Sequence, residues 1–66
     1  MKLKINGKDV SVSPNKTLSE LLAEKGLHPD KIVVEHNLKI VPKEEWPKTM
    51  LSEDDAVEIV SFVGGG

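Results

Sequence analysis

Residues 1–25 read MKLKINGKDVSVSPNKTLSELLAEK, and the change of period inside this stretch decides the fold. Met1, Leu3 and Ile5 alternate with Lys2, Lys4 and Asn6, the two-residue period of a half-buried strand. Asn6-Gly7 follows as a hairpin signal, because a type I′ turn needs positive φ at both central positions and these two residues supply it. Val10 and Val12 then alternate with Asp9, Ser11 and Ser13, so the chain opens as a β-hairpin. Ser13-Pro14-Asn15-Lys16 breaks the strand. The period now lengthens. Thr17-Leu18-Ser19-Glu20 has the form of a capping box, in which the Thr17 hydroxyl accepts from the Glu20 N–H and the Glu20 carboxylate accepts from the Thr17 N–H. Leu18, Leu21 and Leu22 share one helical face, Gly26 supplies the stop, and Pro29 blocks continuation. The spacing predicts a helix from Leu18 to Lys25.

Outward from this core, Ile32–His36 is β-branched and reads as a strand, Asn37-Leu38 as a turn, and Lys39-Ile40-Val41 as a short return strand ended by Pro42. A helical turn is expected at Glu44–Trp46. Ser52-Glu53-Asp54-Asp55 reads as a charged turn, Ala56 to Val63 as a final strand, and Gly64–Gly66 as a tail. A hairpin, one helix and further strands bury the apolar helix stripe against one face of a sheet. The expected architecture is an α+β roll of the β-grasp kind, a mixed sheet of four to five strands on one helix. Residues 1–63 form the domain and residues 64–66 a flexible glycine tail.

Composition limits the function classes. A chain of 66 residues is one domain at most, with little room for an enclosed active site beside a core. It has no cysteine, hence no disulfide, thiolate metal site or thiol nucleophile, and two histidines do not make a Cys/His zinc site. The nine basic residues are all lysines, dispersed along a chain of net charge −2, which argues against nucleic acid as a partner. MKLKING has no apolar signal-peptide core, and no apolar run approaches a membrane span, so a soluble cytoplasmic protein without a membrane partner is expected.

Several stretches resemble the ThiS family, the ubiquitin-like sulfur carriers of thiamine biosynthesis. KLKINGKDV at 2–10 resembles the family's first hairpin and Leu18–Leu22 its helix start. NLKIVPKEEW at 37–46 resembles its N-x-x-(I/V)-V-P-(R/K)-x-x-W segment, the most discriminating internal motif. Asp54–Val60 and the glycine end resemble its last strand and tail. Two positions depart from the pattern: His36 stands where an apolar residue is usual, and Asp54-Asp55 where Gly-Asp is common. The resemblance implies that the Gly66 carboxylate is adenylated by a ubiquitin-activating-like adenylyltransferase (ThiF type) that consumes ATP. A sulfur donor protein then converts it to a thiocarboxylate, and a thiazole synthase (ThiG type) takes the sulfur for the thiazole of thiamine. On this reading the chain is not an enzyme, binds no cofactor or metal, and carries sulfur covalently.

The residues themselves are compatible with that chemistry. There is no catalytic triad, and the chemically singular group is a terminal carboxylate. A carboxylate is a poor electrophile until one oxygen becomes a leaving group, as in an acyl-adenylate. Glycines let backbone pass through a narrow cleft, and three residues reach roughly 10 Å. A frayed glycine end remains the plain alternative for Gly64, Gly65 and Gly66. On the last strand Val57 and Ile59 are expected to face the helix. Val60 and Phe62, with Val63 beside the tail, are candidates for a docking patch. Trp46 reads as a packing anchor, His28 and His36 as a loop and a strand side chain, and Glu53-Asp54-Asp55 as solvated acids rather than a cation site. A molybdopterin-type carrier, a ubiquitin-like protein modifier and a simple interaction module remain alternative functions.

Overall fold

The computed structural model describes residues 1–62, so Val63 and the tail Gly64–Gly66 lie outside the described residues. Strand β1 (Lys2–Ile5) and strand β2 (Lys8–Ser11) form the opening hairpin, with Lys2 opposite Ser11 and Ile5 opposite Lys8. Asn6 and Gly7 turn it at φ +49° and +81°, as a type I′ turn requires. Helix α1 (Leu18–Glu24) starts on the expected box: Glu20 N–H donates to Thr17 Oγ1 at 3.1 Å, and Thr17 N–H donates to Glu20 Oε1 at 2.8 Å. That backbone bond holds the Glu20 carboxyl below its ordinary value. Lys25 caps the helix end, and Gly26 at φ +69° carries the chain away in the left-handed conformation that glycine adopts freely.

After a 3-10 turn at Pro29–Lys31 come strand β3 (Ile32–His36) and strand β4 (Lys39–Ile40). Val41 still donates its N–H to the Val34 carbonyl at 2.9 Å, so the expected third residue of the return strand is held although it lies outside β4. The turn near Trp46 is longer than expected, a 3-10 helix over Lys43–Lys48 with Pro47 inside it. Strand β5 spans Ala56–Ser61, and the expected end at Val63 lies outside the described residues.

The five-stranded sheet has the order β2-β1-β5-β3-β4. β5 is central, parallel to β1 and antiparallel to β3, and the other pairings are antiparallel. The sheet is therefore mixed, and the fold is a ubiquitin-like β-grasp. Leu18, Leu21 and Leu22 of α1 pack against Leu3, Ile5, Val34 and Val57, and Trp46 and Leu51 close the same core. Val57 is fully buried on that face and Ile59 half-buried, as the alternation predicts. Removing these side chains from water is the main force holding so small a domain together.

Candidate functional site

β5 carries the chain toward the glycine tail. Sheet hydrogen bonds flank it on both sides, and two asparagine side chains extend them. In the hairpin turn, Asn6 Oδ1 accepts from Ile59 N–H at 2.7 Å and Asn6 Nδ2 donates to the Ile59 carbonyl at 3.3 Å. The carboxamide thus imitates a peptide group where β1 has already turned away. On the opposite side, Asn37 Oδ1 accepts from Ala56 N–H at 2.9 Å, while Asn37 N–H donates to the Ala56 carbonyl at 2.8 Å. Asn37 and Leu38 form a second turn with both φ values positive, +51° and +73°. Each turn asparagine therefore does two tasks, reversing the chain and gripping β5.

The turn before β5 is more organised than a solvated acidic run. Asp55 accepts from Ser52 N–H at 2.8 Å, from His36 Nε2 at 2.7 Å and from Asn37 Nδ2 at 3.1 Å. Burial pushes the Asp55 carboxyl up, but the hydrogen bonds from His36, Asn37 and Ser52 outweigh it and hold the group below its ordinary value. Glu53 Oε1 accepts from Lys2 N–H at 3.2 Å, and Asp54 donates its N–H to the Lys2 carbonyl at 2.8 Å. His36, the family departure, is accommodated as a half-buried partner of Asp55. No group of three His, Asp or Glu among the described residues could hold a metal ion.

Val60 and Phe62 lie where the alternation puts them, on the open face of the sheet, and are 60% and 48% exposed. Phe62 N–H donates to the Lys31 carbonyl at 3.0 Å, the last described contact before the tail. The remaining candidates, Val63, Gly64, Gly65 and Gly66, lie outside the described residues. Trp46 is a packing anchor: it is buried, and its Nε1–H donates to the Val41 carbonyl at 2.9 Å. His28 Nδ1 accepts from Asp30 N–H at 3.3 Å, a local cap of the first 3-10 turn.

Among the described residues a groove and a notch are open to solvent. A groove of about 320 Å³ runs past Lys2, Lys4, Asp9 and Asp54. An apolar notch of about 110 Å³ lies among Leu22, Leu27, Ile32 and Trp46. The groove is lined mainly by charged side chains, with Lys4 and Asp9 3.9 Å apart, and the notch mainly by apolar ones.

The mixed five-stranded sheet on one helix places the chain among the small ubiquitin-like β-grasp proteins. Comparison with known proteins narrows the class. The model of the ThiS family matches residues 3–66. The chain is 42% identical over 65 residues to the sulfur carrier protein ThiS of Bacillus subtilis, covering 97% of this chain and 98% of that protein. It superposes on the crystal structure of the thiamine biosynthesis protein ThiS from Geobacter metallireducens with a TM-score of 0.84 at 35% identity, covering all of both chains. It is also 44% identical over 66 residues to a thiazole synthase of Paramagnetospirillum magneticum, of which it spans 20% of the length. A thiazole synthase of Magnetococcus marinus is likewise spanned over 20% of its length, at 38% identity. The chain belongs to the ThiS family.

Proposed function

We propose that this chain is a sulfur carrier for the thiazole of thiamine, a protein co-substrate whose working group is the Gly66 carboxylate. The observation that carries the reading is the family match, which runs through the glycine end, on a chain of nearly the same length as the Bacillus subtilis carrier. The chemistry follows from the carboxylate. One of its oxygens attacks the α-phosphorus of ATP on an adenylyltransferase of the ThiF type, and pyrophosphate leaves. A donor sulfur at the sulfide oxidation level attacks the acyl carbon, AMP leaves with the oxygen, and a thiocarboxylate remains. That sulfur is nucleophilic: it attacks an electrophilic carbon of the acceptor on a thiazole synthase of the ThiG type, and water then cleaves the acyl–sulfur bond, which leaves the sulfur on the acceptor and returns the Gly66 carboxylate. The glycines serve as a strap without Cβ atoms that enters the partner's cleft.

The chain's own part is to present the tail. β5 is held by β1, β3, Asn6 and Asn37, so the strap starts from a fixed point. Val60 and Phe62 on the open face form the docking patch beside it. Intact mass spectrometry after incubation with ATP, adenylyltransferase and sulfur donor tests the proposal. The expected product carries the oxygen-to-sulfur mass gain on the C-terminal peptide. Lysine conjugates without that species would instead assign the chain as a protein modifier.

A further inference from the structure

Glu35 on β3 and Glu58 on β5 stand directly opposite each other on the open face of the sheet. Like charges in opposed sheet positions weaken the pairing. Among the described residues neither carboxylate is part of an ion pair. The neighbouring lysines do not relieve them. Lys4 on β1 faces Asp9 at 3.9 Å, and Lys39 is opposite His36, on the other face of β4. Apolar side chains surround the pair: Ile40 is opposite Glu35, and Val33 and Val60 form the next cross-strand row, toward Phe62. Ile40 is 68% exposed, so this row is displayed rather than packed.

We infer that this face takes a partner surface carrying a cationic side chain, an arginine, which seats between Glu35 and Glu58 while apolar groups cover Val33, Val60 and Ile40. A guanidinium offers a planar fork of donors that bridges two carboxylates, which a lysine ammonium does less well. The repulsion present in the free carrier becomes attraction in the complex. The partner is the thiazole synthase, because relatives of that name contain this domain within their own chain. The inference rests on the docking reading of Val60 and Phe62 and adds the charge that the partner must bring.

The test measures binding of the whole chain to a thiazole synthase by calorimetry at low and high salt, beside thermal melts of the free carrier. Glu35→Gln and Glu58→Gln should each weaken binding about tenfold at low salt, less at high salt, because exposed charges are screened. The same substitutions should raise the melting temperature of the free carrier by about 2–4 °C, since they remove the opposed charges. These opposite signs distinguish recognition from a structural role. Unchanged binding of both Gln variants, with binding lost in Val60→Lys, overturns the inference and leaves the docking patch standing. Unchanged binding of Val60→Lys overturns the patch and the inference together. Loss of stability and affinity in parallel assigns the carboxylates a structural role and also refutes the inference.

Discussion

Replacing Asn6 by glycine separates its two tasks. Glycine accepts φ +49° as readily as asparagine, so the type I′ turn survives. Both bonds to Ile59 are lost, the N–H donated to Oδ1 at 2.7 Å and the Nδ2–H donated to the carbonyl at 3.3 Å. A net hydrogen bond contributes about 0.5–1.5 kcal/mol, and the longer of these two belongs at the low end. Glycine adds about 0.4–1 kcal/mol of entropy to the unfolded chain, offset in part by relief of the left-handed conformation. The expected cost is about 2 kcal/mol, or roughly 10 °C in melting temperature for a domain of this size. Trp46, the sole tryptophan and a buried one, reports unfolding by fluorescence. Hydrogen exchange at the Ile59 amide reports the local effect, and its protection should fall by more than the global loss of stability explains. A melting temperature within about 2 °C of the parent, or unchanged Ile59 protection, would show that the carboxamide does not hold β5 and would refute the reasoning.

Further outcomes follow from single residues. Leu38 is 87% exposed at φ +73°, a costly conformation for leucine, so Leu38→Gly should stabilise the fold by about 0.5–1 kcal/mol in urea denaturation. Asp54→Gly, at φ +69°, should act in the same direction with a smaller gain, because aspartate tolerates this region better. Asp55 titrates below its ordinary value in the folded chain, so its stabilisation is present above the unfolded carboxyl range and is lost as pH falls through the folded value, below about pH 4. Asp55→Asn should therefore flatten the acid limb of a plot of urea midpoint against pH. Trp46→Phe removes the donor to the Val41 carbonyl and part of the buried ring, and should cost about 1–2 kcal/mol by circular dichroism melts.

Much of this molecule is written in local patterns. The alternation of Leu3 and Ile5, the Asn6-Gly7 turn, the Thr17–Glu20 box and the Leu18, Leu21, Leu22 stripe are short-range features, and each forms as its spacing predicts. The same parity that buries Val57 leaves Val60 and Phe62 exposed, so the face of the candidate patch is legible in the sequence alone. The boundaries are less so. Within the described residues the last strand stops at Ser61, opposite Ile32 where β3 begins, while the expected end at Val63 lies outside them.

What tertiary structure alone decided is which distant residues meet. Asn6 lies 53 positions from Ile59, and no local spacing reveals that a turn carboxamide will pair with a strand so far along the chain. His36 and Asp55, 19 positions apart, meet only because the antiparallel register sets His36 against Val57, bringing Asp55 within reach. The opposition of Glu35 and Glu58 has the same origin, since a shift of one residue in that register would part them. Local sequence specifies turn, helix and strand because those depend on neighbours within a few residues. Pairing across the sheet depends on how the whole apolar set packs beneath it, and that exists only in the folded chain.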